Sequence, residues 1–313
     1  MYYPYFRGKQ FELILLRDNA KFLADNKIHP IIEPVKENLS PLKRAIEKMK
    51  EHNVSFTLII NPYVGDLRNK ETDIIAFAND NLRGYVPASL GYIMTEQNDE
   101  KVLRQTVTSN SSYSFSIIHY GYEKGKILAP LTDSLDQVVK HIFIDGHSGK
   151  LYQSHFKKST VEKILIRNGF RNQKNAEYPT SEHFSDLHVT YPEENMNGFG
   201  DFLIIGDDYS ESGGPAYAVA IHLTYLGDEN VMLIYHFKSD RMDSPTDPAG
   251  KFLEALTKLV RELDRSGSLL FKSNACKEFK ELHNKGYFPG LGYVKKLSMQ
   301  HHLELMANFL SKE

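Results

Sequence analysis

The chain has 313 residues, 41% of them hydrophobic and 25% charged, an ordinary globular balance with enough apolar side chains for one large domain or two small ones. Its 38 basic and 40 acidic residues give a net charge of −2, which excludes a global pull toward nucleic acid or membrane while leaving room for a local basic patch. The single cysteine, Cys276, excludes an intramolecular disulfide and a cysteine-based zinc site. There is no apolar run of about 18 residues and no basic-then-apolar leader in MYYPYFRGKQ, so the expected location is the cytoplasm, away from membranes.

In chain order, YYPYF (2–6) reads as a short extended segment. Residues 9–25 place Phe11, Leu15, Phe22 and Leu23 at helical spacing. HPIIEPV (29–35) reads as a strand with prolines suited to its ends. Ser40-Pro41 then predicts a helix over 41–52 with Ser40 as N-cap. SFTLIINP (55–62) is a β-branched strand, and 71–82 is helical. GYVPAS (84–89) predicts a strand, 99–108 a helix, YSFSIIHYG (113–121) a strand, 133–138 a short helix and KHIFID (140–145) the next strand. STVEKILIRNGF (159–170) fits a strand or a helix, and 171–185 is polar enough for a long loop. FLIIGD (202–207) reads as a buried strand. AYAVAIHLTYL and VMLIYHFKS, joined by GDEN, predict an antiparallel hairpin over 216–239. Helices follow over 249–264, 274–285 and 298–311, the middle one stopped by Gly286.

Strands separated by helical segments at intervals of about 25–30 residues make βαβ units and a parallel sheet. No GxGxxG follows the first strand, and no GxxxxGK[ST] occurs anywhere. The expected class is therefore α/β: a TIM-barrel-like (β/α)8 fold rather than a doubly wound sheet. It is expected as a single domain over 1–313, with the 216–239 hairpin inserted and a C-terminal helical part at 248–313.

Active residues in such a barrel lie at the C-terminal ends of strands or in the loops that follow. Those ends read Arg7, Glu33, Asn61, Ser89, His119, Asp145 and Asp207. They mark either a convergent polar pocket or ordinary solvated strand ends. In IFIDGHSG (142–149), Asp145 and His147 suit divalent-metal ligation or an acid–base pair, although Asp-Gly is also a common turn dipeptide. In GFGDFLIIGDDYSESGGP (198–215), Asp201 stands before the predicted strand and Asp207 and Asp208 after it, about 20 Å away; Asp207 or Asp208 is the functional candidate and Asp201 the structural one. SDLHVTY (185–191) puts Asp186 and His188 on one face if it is a strand. HFKSD (236–240) brings His236, Ser239 and Asp240 close in sequence, but no GxSxG elbow accompanies them. Cys276 reads as a small buried apolar residue, and His301 and His302 as an exposed helix face or a domain contact. GYFPGLGYVKKLS (286–298) reads as a packed loop, with nucleic-acid contact as the alternative.

Three segments, YYPYFRGKQFEL, GFGDFLIIGDDYSESGGPAYAVAIHLTY and FPGLGYVKKLSMQHHLE, resemble an uncharacterised bacterial family within the wider Beta protein family. Members commonly open with a Tyr-x-Pro strand and a Lys-x-x-Glu helix start, supplied here by Tyr2 or Tyr3, Pro4, Lys9 and Glu12. The resemblance implies a TIM-barrel-like fold, a conserved two-gene neighbourhood and relatives in phage-conflict islands. It implies no catalytic residues. The expected function is thus binding of a ligand or peptide at a polar pocket on the strand ends, by a protein that acts with a partner encoded nearby in bacterial antiviral defence. The pocket candidates are Arg7, Glu33, Asn61, His119, Asp145, His147, Asp207, Asp208 and His236. The alternative is a metal-dependent hydrolase or nuclease, with Glu33, Asp145, His147, Asp201 or Asp207 around a divalent ion.

Overall fold

A computed structural model describes residues 1–211 and 213–312. The chain forms two compact units, Met1–Arg167 with Thr190–Asp201, and Asn168–Val189 with Phe202–Glu313.

The first unit is the expected parallel barrel. Its strands are β1 (Tyr5–Phe6), β2 (Ile31–Ile32), β3 (Phe56–Ile59), β4 (Ala88–Met94), β5 (Ser114–His119), β6 (Val138–Ile144) and β7 (Glu162–Ile166). After β8 (Ser181–Ser185), which belongs to the second unit, β9 (Gly198–Gly200) completes the set of eight. Neighbours pair in parallel in chain order. The ring closes through a Tyr2–Phe199 bridge, with the Tyr3 amide donating to the Phe199 carbonyl at 2.8 Å and the Tyr5 amide to the Asp201 carbonyl at 2.9 Å. The intervening helices are α1 (Gln10–Asp18), α2 (Ala20–Asp25), α3 (Ser40–Glu51), α4 (Glu71–Leu82), α5 (Glu100–Ser109), α6 (Gly125–Asp133) and α7 (Lys150–Ser154).

His119 accepts or donates a hydrogen bond with Tyr152 of α7, so alternate residues of β5 face the helices and the others face inward. The inward set carries hydroxyls: Thr57 bonds Ser89, and Ser89 bonds Ser116, each at 2.9 Å. His29 reaches Thr57 at 2.9 Å. These polar side chains are buried but partnered, as burial requires.

Several elements correct the sequence reading. The last barrel strand is GFG, not FLIIGD. A Cβ on Gly200 would lie 1.9 Å from the Tyr3 carbonyl oxygen, and one on Gly198 2.6 Å from the Tyr3 ring, so Tyr3 occupies the space that strand side chains would fill. FLIIGD instead turns, with Leu203 at φ 49° and Gly206 at φ 73°. β4 begins where GYVPAS was expected to end, which puts Ser89 near the start of its strand. The helix expected over 133–138 lies earlier, at α6, disguised by Gly125 and Pro130. α7 was not foreseen. SDLHVTY holds the short helix α8 (Leu187–Thr190), so Asp186 and His188 do not share a strand face. Ser40 is the first residue of α3 rather than its cap; Asn38 Oδ1 accepts from the Ser40 amide at 3.1 Å.

The second unit holds a three-stranded antiparallel sheet, β10 (Ala220–Leu226), β11 (Met232–Lys238) and β8, in the order β10-β11-β8. The hairpin is as expected, whereas β8 lies inside the stretch read as a loop. Three helices follow: α9 (Pro248–Asp264), α10 (Asn274–Lys285) and α11 (Leu291–Leu310). Ile221, Leu223 and Tyr225 pack with Phe252, Leu256 and Leu259 of α9 and Phe279 of α10. Gly286, at φ 58°, ends α10 in the left-handed conformation that favours glycine. α11 starts seven residues earlier than expected, so much of GYFPGLGYVKKLS is helical. No helix among the described residues is long and apolar enough to cross a membrane.

Candidate ligand-binding face at the C-terminal ends of the barrel strands

Arg7, Glu33 and Asn61 stand just past the ends of β1, β2 and β3, and each is committed to structure. Glu33 is fully buried. Its Oε2 pairs with the Arg7 guanidinium and accepts from Tyr5 Oη at 2.9 Å; its Oε1 accepts from the Tyr63 and Val64 amides at 2.7 and 3.3 Å. Arg7 also lies 5.1 Å over the Tyr5 ring, and its amide donates to Glu12. A carboxylate with three neutral donors and a cation has its lone pairs engaged. Asn61 forms a two-bond clamp on Ile93, its Nδ2 donating to the carbonyl and its Oδ1 accepting from the amide, both at 2.8 Å. The clamp ties the loop after β3 to β4.

Asp145 and His147 diverge. Asp145 Oδ2 accepts from Arg167 Nε at 2.6 Å, and Arg167 continues to Glu194 at 2.8 Å, which Lys150 also meets. Gly146, at φ 84°, makes the turn that the Asp-Gly dipeptide suggests. His147 then stacks on Tyr120, with ring centroids 3.9 Å apart and planes 18° from parallel. Tyr120 meets Tyr63 at 5.0 Å, and the Arg68 guanidinium lies 5.7 Å from the Tyr63 ring centre. Tyr63 is 38% exposed, His147 is exposed and Tyr120 half-buried. These rings form a solvent-facing row on the loops after β3, β5 and β6. Tyr63 and Tyr120 escaped a search of strand ends for ionisable groups; their signal was position alone, immediately after Asn61-Pro62 and His119.

The remaining barrel candidates are elsewhere. His119 faces the helices: Nδ1 lies 2.7 Å from Tyr152 Oη, Nε2 lies 3.1 Å from His141 Nδ1, and the ring stacks on Phe143 at 4.4 Å. Burial holds the His119 imidazole well below its usual pKa and lowers that of His141 to about 3. Asp201 ends β9, where it was expected to precede a strand. It is buried, and its Oδ1 accepts from Tyr2 Oη at 2.8 Å. Burial, then the nearby carboxylate, push the Tyr2 phenol up.

In the second unit, Asp207 is half-buried and the exposed Asp208 accepts from Asn172 Nδ2 at 3.3 Å. His236 sits within β11, directly opposite His222, with Nδ1 atoms 2.7 Å apart. Its Nε2 lies 3.1 Å from Glu182. Burial lowers the His236 pKa to about 4 and holds that of His222 well below its usual value. Ser239 Oγ donates to the Arg241 carbonyl and Asp240 pairs with Lys258, so no Ser-His-Asp relay forms in HFKSD. His301 and His302 are fully buried, so of the two expectations, an exposed helix face or a domain contact, the exposed face is ruled out. Cys276 is buried as expected, and its Sγ lies 3.4 Å from His301 Nδ1. Burial raises the thiol to about 11 and lowers the imidazole to about 4, so both are neutral, unlike an activated thiolate pair. Among the described residues no three His, Cys, Asp or Glu side chains come together to hold a metal ion.

Comparison with family models and with curated proteins gives no match. Among solved structures the chain is similar to the enoyl reductase domain of MlnA from the macrolactin biosynthesis cluster of Bacillus amyloliquefaciens, at 7% identity and a TM-score of 0.39, over 99% of this chain and 81% of that one. A likeness at that level carries no argument about activity.

Proposed function

We propose that this chain is a binding protein, and that the Tyr63–Tyr120–His147 row receives a ligand or peptide through a planar group. The observation that carries the reading is the contrast on one barrel end: the Arg7–Glu33 and Asp145–Arg167 charges are paired, whereas Tyr63 and His147 stand exposed with the half-buried Tyr120 between them. Paired, buried charges have little left to offer a metal or a substrate. Exposed aromatic rings lose water on contact, and each stacked pair contributes about 0.5–1.5 kcal/mol beyond burial. No comparable observation favours the hydrolase or nuclease alternative. In the cell we place the protein in the cytoplasm, within the Beta protein family it resembles, acting with the product of a neighbouring gene in antiviral defence.

Co-expression with that gene product tests the reading. The tagged wild-type chain is expected to retain the partner through affinity and size-exclusion steps. A Tyr63→Ala/Tyr120→Ala chain with unchanged thermal unfolding is expected to lose it. A wild-type chain that elutes alone, or a double variant that holds the partner equally well, would sink the proposal.

A further inference from the structure

We infer that a separate cleft between α1 and α3 binds a small molecule carrying a phosphate group on a short apolar body. The cleft encloses about 440 Å³, within the size range of small-ligand sites. Gln10, Leu13 and Arg17 recur on one face of α1 at intervals of three and four residues, and Pro41 and Arg44 do the same on α3. Leu13 and Ile14 supply apolar lining. Arg17, Lys36 and Arg44 supply three cations, and the Gln10 and Asn38 amides supply hydrogen-bonding groups.

The charge arrangement points to the ligand. The sequence as a whole is balanced, yet no carboxylate is among the residues lining this cleft. Arg17 pairs with Asp18, the next residue, and Lys36 lies 3.4 Å from Asp66; both pairs are solvent-exposed. Exposed pairs contribute at most about 1 kcal/mol, so they yield readily to a competing anion. Arg44 is exposed and has no carboxylate partner among the described residues. With two of the three cations only loosely paired at the surface and Arg44 without a carboxylate among the described residues, the cleft keeps a net positive charge that a dianion can meet. Two of the three are guanidiniums, whose planar fork pairs two N–H groups with two phosphate oxygens. The apolar lining gives the rest of the ligand a place that inorganic phosphate alone does not use.

Calorimetric titration of the full chain in chloride buffer tests this, with inorganic phosphate and phenyl phosphate as the two probes. Both are expected to bind saturably, phenyl phosphate more tightly. Arg44→Glu is expected to weaken both by about tenfold or more, equivalent to about 1.4 kcal/mol. Arg104→Glu makes the same charge change on the exposed face of α5 and is expected to leave binding within about twofold of wild type. Arg17→Gln provides a second test at the cleft, and matched thermal unfolding checks that each variant is folded. Absence of saturable binding, or equal losses from Arg44→Glu and Arg104→Glu, overturns the site. Equal affinity for the two probes overturns the apolar part of the assignment.

Discussion

Acidification should destabilise this protein from about pH 6.5 downward, and the cause is histidine burial. Three histidines in the barrel unit, His29, His119 and His141, are buried with depressed pKa values, as are His222, His236 and His301 in the second unit. Burial lowers the pKa to about 3 for His141 and to about 4 for His236 and His301. In the unfolded chain each returns to about 6.5. Between those limits the unfolded state binds more protons than the folded one, so stability is complete above about pH 6.5 and is lost as the pH falls toward 4. At about pH 5 His141, His236 and His301 each cost about 2 kcal/mol, from about 1.5 pH units at about 1.4 kcal/mol each. His236 and His301 together come to about 4 kcal/mol in the second unit, a large share of a typical domain's stability, and burial of His29, His119 and His222 acts in the same direction. Urea unfolding followed by far-UV circular dichroism should therefore show a midpoint that is level above about pH 7 and falls steeply by about pH 5. His141→Gln should make that fall shallower. A midpoint unchanged between about pH 7 and pH 5 would refute the claim that these imidazoles are held neutral by the fold.

Two substitutions probe the barrel itself. Glu33→Gln leaves Arg7 buried without its counter-charge and should cost about 3–5 kcal/mol, read as a lowered denaturant midpoint; a loss below about 1 kcal/mol would mean that the pair is dispensable. Gly200→Ala drives a Cβ into the Tyr3 carbonyl and should prevent soluble folding, whereas Gly146→Ala, with open space at φ 84°, should cost only about 1–2 kcal/mol. Similar yields and melting temperatures for the two alanine variants would contradict the closure of the barrel through Tyr3.

Much of the fold was legible because helices and strands alternate with clear periodicity. α4 and α10 were placed to the residue, and the hairpin and α9 within a few residues. The failures share a cause: side chains whose surroundings contradicted their local propensity. Gly198 and Gly200 look like turn residues, but they form a strand because Tyr3 fills the space beside them. FLIIGD has strand composition, but its apolar side chains are buried in a turn. SEHFS looks like loop and becomes β8 because β11 offers an open edge to pair with. Neither the Tyr3 packing nor the open edge is visible in a window of neighbouring residues. The same holds for His301 and His302, whose adjacency on a helix leaves an exposed face and a domain contact both open until α11 proves buried along most of its length.

The candidate residues sort by a rule that the strand ends alone could not supply. Side chains alternate along a strand, so one residue decides whether an end points into the barrel or toward its helices. His29, Thr57 and Ser116 bond to the shared inward hydroxyl set, which gives Glu33, Asn61 and Tyr120 inward parity, four residues further on in each case. His119 reaches α7, which gives its partner His141 outward parity and, through Phe143, Asp145 as well. Gly200 faces Tyr3 and Ile166, so Asp201 and Arg167 also point outward; the Asp201–Tyr2 and Asp145–Arg167 bonds join residues of that same outward set. Glu33, Asp145 and Asp201, which suggested a metal site, are thereby divided between two faces of one sheet, and Asp207 lies outside it. The side chains that face solvent on the loops after β3, β5 and β6 are aromatic, and for that reason ring stacking rather than metal chemistry is the property to test there.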